Sequence, residues 1–116
     1  MANQDRFYLG EFEEILLLAV FRLKDNVYGD SLRRFIEEET GRSTSIGSVY
    51  TTLERLEQKG YISSWQGEAT PEHGGRAKRY FKIESPGVRA LHETRTIRAK
   101  MWAGVTGLPD LGGLPA

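Results

Sequence analysis

The chain has 116 residues, 39% of them hydrophobic, which is typical of one globular domain with a modest core. It contains no cysteine, so a disulfide framework and thiolate chemistry are excluded, and its apolar run at residues 15–20 is too short to cross a membrane. The formal net charge is zero, but residues 1–40 carry five basic and nine acidic side chains, whereas residues 41–100 carry eleven and six. A neutral chain with one basic half can still bind a phosphate backbone, because the field of charged groups acts over about a Debye length.

The first forty residues predict two helices and no secretion signal. Apolar residues recur at steps of three and four over residues 11–24, which predicts a central, largely buried first helix. After a turn at Asp25-Asn26, a second helix is predicted from residue 29 or 30 to residue 40, with Gly41 as a left-handed C-cap. Because the N-terminus is acidic and lacks a basic region and a cleavage site, we expect a cytoplasmic protein.

A third helix is predicted to begin near Ser45 and to end before Gly60. One face of this helix is predicted to pack in the core, and its apolar residues are Ile46, Val49, Tyr50, Leu53 and Leu56. The opposite face is assigned to Ser48, Thr51, Thr52 and Arg55. Since residues 45–52 carry no charge, this face is rich in small hydroxyl groups.

Beyond Gly60 the pattern predicts a β-hairpin, then a long helix and a tail. Strands are predicted at residues 61–66 and 77–83, joined by a loop at 67–75 that contains three glycines and one proline. Ser85 and Pro86 then begin a fourth helix that runs through residue 102 or 103. The last segment, residues 104–116, has four glycines and two prolines and is predicted to be a mobile tail.

This order of elements predicts a winged helix-turn-helix, an α+β fold that is mostly α, with the second and third helices as a DNA-binding pair. Small hydroxyl side chains let the third helix approach the major groove closely and bond base edges or phosphates. Gly47 permits close backbone approach, and the helix N-terminus adds a partial positive charge for a phosphate. The plainer alternative is a hydroxyl-rich surface helix that does not touch DNA.

The predicted hairpin adds a cluster of basic residues. His73, Arg76, Lys78, Arg79 and Lys82 lie within ten residues that contain no acid. In a winged helix this hairpin flanks the recognition helix, so Arg76 is predicted to enter a groove and the other cations to contact phosphates. The alternative is an edge strand protected from aggregation by its charges, which explains Lys82 better than the clustered Arg76, Lys78 and Arg79.

Three segments of the sequence resemble the PadR family of bacterial transcriptional regulators, over residues 9–101. They are Tyr28-Gly29 at the start of the second helix, residues 45–57 with Gly60-Tyr61-Ile62 after them, and residues 75–81 in the wing. One position departs from the family pattern: Ala77 stands where family wings often have proline. This change loosens the predicted wing tip but leaves its basic residues in place.

The resemblance implies a homodimer, usually a repressor, whose single C-terminal helix pairs with that of its partner, as in short-tailed members. It divides the chain into a winged helix-turn-helix domain at 1–84, a dimerisation helix at 85–103 and a flexible tail at 104–116. We therefore predict a sequence-specific repressor that binds double-stranded DNA at a palindromic operator. The predicted DNA-binding residues are Tyr28, Ser45, Gly47, Ser48, Tyr50, Thr51, Thr52, Arg55, Arg76, Lys78 and Arg79.

The resemblance also implies a small aromatic ligand, because some family members bind flat aromatic or cationic compounds at the dimer interface. A tryptophan of the C-terminal helix stacks on that ligand, and Trp102 lies on the corresponding helix, with Tyr8 and Phe12 near the same interface. Since Trp102 lies near the helix end, a role as a hydrophobic anchor of the dimer is the favoured alternative.

No enzyme, cofactor or metal site is predicted. His73 and His92 lie on a loop and a helix without a metal-spaced partner, and the run at residues 37–39 is a solvated acidic face. A second function is left open, namely a winged helix that contacts only proteins and does not bind DNA. The zero net charge favours that alternative slightly.

Overall fold

The computed structural model describes residues 9–68 and 77–112, and this part of the chain contains four helices and two strands. The elements are α1 (Glu11–Leu23), α2 (Gly29–Thr40), α3 (Ile46–Gln58), β1 (Ile62–Gln66), β2 (Arg79–Ile83) and α4 (Ser85–Ala103). The predicted order of elements is confirmed, and both strands are shorter than predicted. Two predicted site residues, Tyr8 and Arg76, lie outside the described residues.

The helix ends follow local chemistry. The C-cap of α2 is Gly41 in the left-handed region at φ 74°, and its N–H donates to the carbonyl of Glu37 at 2.8 Å. The N-cap of α3 is Ser45, whose hydroxyl oxygen accepts a hydrogen bond from the N–H of Ser48 at 3.0 Å. The cap at Gly41 is the one predicted, and Ser45 is one of three residues, with Ser43 and Thr44, that the sequence offers as N-cap of α3.

The hydrophobic core lies where α1 packs against α2, α3 and the sheet. Its largest fully buried side chains are Phe81, Leu16, Leu17, Leu32, Ile36, Leu53, Leu56 and Val49. Two residues that were assigned to this core are exposed instead: Ile46 at 41% and Tyr50 at 40%. Ile46 is the first residue of α3, and the ring of Tyr50 lies over Gly29 at the start of α2, so neither reaches the interior.

The two strands form an antiparallel hairpin in the register Ile62↔Ile83 to Gln66↔Arg79. The hairpin is also bonded to the connection between α1 and α2, since the N–H of Phe81 donates to the carbonyl of Val27 at 2.9 Å and Tyr28 forms a β-bridge with Tyr80. The wing is therefore fixed to the helix-turn-helix by backbone hydrogen bonds.

The fourth helix is buried at its beginning and exposed at its end. A Cβ atom on Gly87 would collide with the carbonyl oxygen of Tyr61, so only glycine lets α4 approach the hairpin this closely. Ala90 and Thr94 are buried, whereas Met101 and Trp102 are 74% and 64% exposed. In residues 9–68 and 77–112, no helix is long and apolar enough to span a membrane.

Candidate nucleic-acid interface

The first half of α3 presents an exposed polar surface. Ser45, Gly47, Ser48 and Thr51 are all exposed, as predicted, and so is Arg55 one turn further along. The hydroxyl of Ser45 donates to that of Ser48 at 3.1 Å, which leaves a lone pair of Ser48 available outside the helix. Within the described part of the chain, the hydroxyl of Thr51 has no hydrogen-bond partner. This surface offers both donors and acceptors, and Ser45, Gly47, Ser48 and Thr51 are all small.

Thr52 does not belong to this surface, and its assignment to the outer face was wrong. It is 4% exposed, and its hydroxyl donates to the backbone carbonyl of Ser48 at 2.8 Å. At about 100° per residue, position 52 lies within roughly 60° of the buried Val49 and Leu56. Its hydroxyl hydrogen is committed to the carbonyl of Ser48, so Thr52 has no donor to offer to a base or a phosphate.

A concavity of about 550 Å³ lies beside the N-terminus of α3. It is lined by Phe12, Arg42, Thr44, Ser45, Gly47, Ser48, Thr51, Thr52 and Arg55. Two of these side chains are cations, and the helix N-terminus adds a partial positive charge, so the concavity suits an anion such as a phosphate. The structure thus brings together most of the residues that were predicted on α3.

Arg42 is a residue of this concavity that the sequence prediction missed. Its guanidinium carbon lies 5.2 Å from the ring centroid of Phe12, and its Nη1 donates to a carboxylate oxygen of Glu11 at 2.9 Å. Its position in the turn before the N-cap of α3 was a usable signal, because cations beside a helix N-terminus strengthen an anion site there.

Glu13 connects the first helix to the cations of α3. Its carboxylate is nearly buried and accepts hydrogen bonds from the N–H of Gly10 at 2.8 Å, from Nε of Arg55 at 3.3 Å and from Nζ of Lys59 at 3.0 Å. Burial alone raises the pKa of Glu13, but the bond from Gly10 and the two cations outweigh it, so the net pKa is lowered. Glu13 therefore stays ionised and fixes the orientation of Arg55.

A second cationic cluster surrounds the start of α2. Nζ of Lys78 lies 3.6 Å from the ring centroid of Tyr28, and the hydroxyl of Tyr28 accepts a hydrogen bond from Arg34 at 3.4 Å. The ammonium of Lys78, and to a lesser extent the guanidinium of Arg34, favours the ionised form of the Tyr28 hydroxyl and lowers its pKa. The ring of Tyr50 lies so close to Gly29 that a Cβ atom there would collide with it. Three predicted residues, Tyr28, Tyr50 and Lys78, are therefore placed around one helix N-terminus.

Arg79 was predicted to contact DNA, and in the structure its guanidinium is bonded to side chains of the same chain. It forms ion pairs with Glu54, at 3.2 Å, and with Glu57, and its Nε donates to the hydroxyl of Ser64 at 3.1 Å. Because β2 alternates its side chains, Arg79 shares the inward side with the buried Phe81 and faces α3. These contacts connect the wing to α3, and they do not test the predicted contact with DNA.

Residues 17–93 of the chain match the sequence model of the transcriptional regulator PadR-like family. The chain belongs to this family. The match spans more than half of its length, and the predicted family is confirmed. No curated protein matches the full sequence significantly.

Several solved structures, two of them of PadR-like or PadR family proteins, share the fold. A PadR-like transcription factor from Bacteroides fragilis is 22% identical, with a TM-score of 0.70 over 88% of this chain and 91% of that chain. A PadR family regulator from Eggerthella lenta is 21% identical, with a TM-score of 0.64 and 81% of each chain covered. A complex structure of hsRosR-S4 is 19% identical, with a TM-score of 0.63 over 91% of this chain and 84% of that chain.

Membership of the PadR-like family defines the class of function. The chain is a DNA-binding transcriptional regulator of the winged-helix type and, like the family, not an enzyme. Among the described residues, no group of three side chains is arranged to hold a metal ion.

Trp102 and Phe12, two of the three residues predicted around an aromatic ligand, are not brought together within one chain. Trp102 lines a depression of about 220 Å³ at the end of α4, together with Met101, Val105 and Leu108. Phe12 lies instead in the concavity beside α3, under the guanidinium of Arg42. Tyr8 lies outside the described residues.

Proposed function

We propose that this PadR-like protein is a homodimeric repressor that recognises a palindromic operator with the exposed face of α3. The observation that carries the proposal is the polar surface of Ser45, Ser48 and Thr51 beside the cations Arg42 and Arg55. Small hydroxyl groups on the first turns of a helix can reach base edges in the major groove, while neighbouring arginines bind the flanking phosphates.

The cluster at the start of α2 supports the same orientation of the DNA. Lys78 of the wing, Tyr28 and Tyr50 surround the N-terminus of α2, which carries its own partial positive charge. Tyr50 projects from α3 about 140° away from Arg55, at about 100° per residue, so a phosphate at this point would lie on a different side of α3 from the concavity with Arg42 and Arg55. The two anion sites would then hold the DNA backbone on both sides of the recognition helix and set its register in the groove.

The exposed half of α4 supports the dimer. Ile97, Met101 and Trp102 are 50%, 74% and 64% exposed, which is a large apolar surface for one helix. An adjoining groove of about 410 Å³ between α1 and α4 exposes Leu18 and Val88 at 40% and 39%. A second copy of the chain fits this surface best, since its own α4 offers the matching apolar side chains.

A dimer related by a two-fold axis would place two α3 helices about one turn of DNA apart, or a multiple of it, and the operator would be palindromic. Such a protein represses transcription by occupying its operator. We further propose that a small aromatic ligand binds beside Trp102 at the dimer interface and releases the protein from DNA. The exposed indole of Trp102 and the apolar side chains around it support this site.

Selection of bound duplexes from a random pool tests the proposal, followed by titration of the selected site between about 50 and 200 mM salt. We expect a palindromic site and an affinity that falls steeply with salt. An absence of selected sequence at low salt would contradict operator recognition. Sedimentation velocity of the same preparation should give the mass of two chains, and a monomer at micromolar concentration would contradict the dimer.

A further inference from the structure

A cleft of about 470 Å³ lies on the face of the wing that points away from α3. One wall is the outer face of the hairpin, formed by Trp65, Tyr80 and Lys82. The other wall is the end of α1 and the turn after it, with Phe21 and Lys24. Its volume falls within the range of about 300–1,000 Å³ that is usual for small-molecule sites. None of these residues is used in the interface or the dimer proposed above, except Phe21, which also borders the groove between α1 and α4.

Aromatic rings are exposed on both walls of the cleft. Phe21 and Trp65 are 50% and 49% exposed, and together they give the cleft an apolar surface of the kind that marks ligand-binding grooves. The ring of Tyr80 is stacked against that of Trp65, with 5.9 Å between centroids and 26° between planes. Tyr80 supports one side of the indole, and the exposed part of the indole offers a flat surface to another ring.

Two cations stand on opposite walls of the same cleft. Nζ of Lys24 lies 4.5 Å from the ring centroid of Phe21, and Lys82 extends from β2 on the other side. Among residues 9–68 and 77–112, neither lysine has an acidic group within ion-pairing distance. The one acidic residue of the lining is Asp25, so the described lining carries a net positive charge.

The backbone at the rim of the cleft is strained. Lys24 has φ 68° and ψ −56°, and the N–H of Asp25 donates to the carbonyl of Leu23 at 2.7 Å, which closes a tight γ-turn around a non-glycine residue. Asn26 also has a positive φ of 54°. Strained turns of this kind persist where the surrounding structure holds them, and they occur often at ligand sites. Here the turn presents Lys24 and Asn26 to the cleft.

We propose that this cleft binds a small ligand that combines a flat ring with an anionic group. The ring stacks between Phe21 and Trp65, and the anionic group lies between the ammonium groups of Lys24 and Lys82. Either a nucleotide, with its base and phosphate, or an aromatic acid has this chemistry. The inference does not depend on DNA binding, because it rests on the cleft alone.

The test is an NMR titration of the full ¹⁵N-labelled chain, in which the backbone amide and tryptophan indole signals report binding. The probes are AMP and naphthalene-2-sulfonate, with naphthalene-2-methanol as a neutral ring, inorganic phosphate as an anion without a ring, and naphthalen-2-ylmethylammonium as a cation. We expect the first two to shift the Trp65 indole signal saturably and the others to bind at least about tenfold more weakly. Tighter binding of AMP would identify the ligand as a nucleotide, and tighter binding of the sulfonate would identify it as an aromatic acid.

Charge variants then assign the site. Lys82→Gln should weaken binding by about two- to fivefold, and Asp25→Asn should tighten it by a similar factor, since each removes one exposed charge of opposite sign. Trp65→Ala should weaken binding at least about fivefold through lost stacking. Lys100→Gln, on the exposed part of α4, should leave binding unchanged, and the spectrum of each variant reports its fold.

Three results would overturn the proposal. They are the absence of any shift at Trp65, binding of the neutral or cationic ring as tight as that of the sulfonate, and shifts confined to the Trp102 indole. Equal effects of Lys82→Gln and Asp25→Asn in the same direction would also contradict the assigned charge of the ligand.

Discussion

Replacing Glu13 by glutamine removes one charge from the link between α1 and α3 and keeps the shape of the side chain. The carboxylate is only 10% exposed, but its partners Arg55 and Lys59 are 52% and 31% exposed. Breaking a fully buried ion pair costs about 3–5 kcal/mol, whereas a surface pair contributes about 0–1 kcal/mol. Because the glutamine amide oxygen could still accept the bond from Gly10, we expect Glu13→Gln to lower the free energy of unfolding by about 1–2 kcal/mol.

Urea unfolding at two pH values measures this effect. At pH 7 the midpoint should fall by about 0.5–1 M urea, given a typical dependence of about 1–3 kcal/mol per M. The folded-state pKa of Glu13 lies below its ordinary value of 4.5, so the stabilisation is present above that pH and is lost as the pH falls through the folded-state pKa. The difference between the two proteins should therefore shrink at pH 3.

The matched control is Glu38→Gln, on the exposed side of α2, since Glu38 has no ion pair among the described residues. It should leave the midpoint unchanged at both pH values. Equal midpoints for Glu13→Gln and the unmodified chain at pH 7 would refute the reasoning, and so would a difference in midpoint as large at pH 3 as at pH 7.

Glu13→Gln should also steepen the salt dependence of DNA binding. The slope of log affinity against log salt concentration should increase by about one, because Arg55 gains freedom to contact a phosphate.

Three further predictions concern the interface, the wing and the dimer. Thr51→Val should change the preferred operator or weaken binding to it by about 1–3 kcal/mol, whereas Thr52→Val should not, and equal effects in a binding titration would contradict the assigned faces. Arg79→Ala should lower the free energy of unfolding by about 1 kcal/mol, because the wing loses its contact with α3. It should also reduce the affinity for all DNA sequences by the same factor. A changed sequence preference would contradict this and indicate a direct base contact of Arg79. Met101→Asp should shift the sedimentation coefficient towards that of the monomer, because it places a charge in the proposed dimer contact. Thr96→Asp introduces the same charge at another exposed position of α4 and should leave the sedimentation coefficient unchanged. Equal changes in the sedimentation coefficient for both variants would contradict a dimer contact at Met101.

The sequence predicted what local chemistry decides. The left-handed Gly41, the cap at Ser45 and the order of helices and strands depend on neighbouring residues or on the spacing of apolar positions, and both can be read from the chain. Thr52 was misassigned because a position at the border of an amphipathic helix reads as either face until the packing is known. Tyr50 was misassigned as a core residue for a different reason, since its ring covers a glycine of another helix.

Contacts between distant segments could not be predicted in this way. Arg79 pairs with Glu54 and Glu57, more than twenty residues earlier, and Glu13 pairs with Arg55, 42 residues later. The sequence shows these charges but not which of them meet. A cluster of basic residues in the wing therefore predicted phosphate contacts for Arg79, when part of its charge is used inside the protein.

The internal pairing of the arginines has a consequence for how the protein would search a chromosome. Arg42 and Arg55 each form an ion pair with a carboxylate before any DNA arrives. A phosphate must replace that carboxylate, and the exchange is favourable only where the DNA backbone is placed correctly on both sides of α3. We therefore expect short residence on arbitrary sequence and a wide gap between operator and non-operator affinity, in a protein whose net charge of zero gives it little general attraction to DNA.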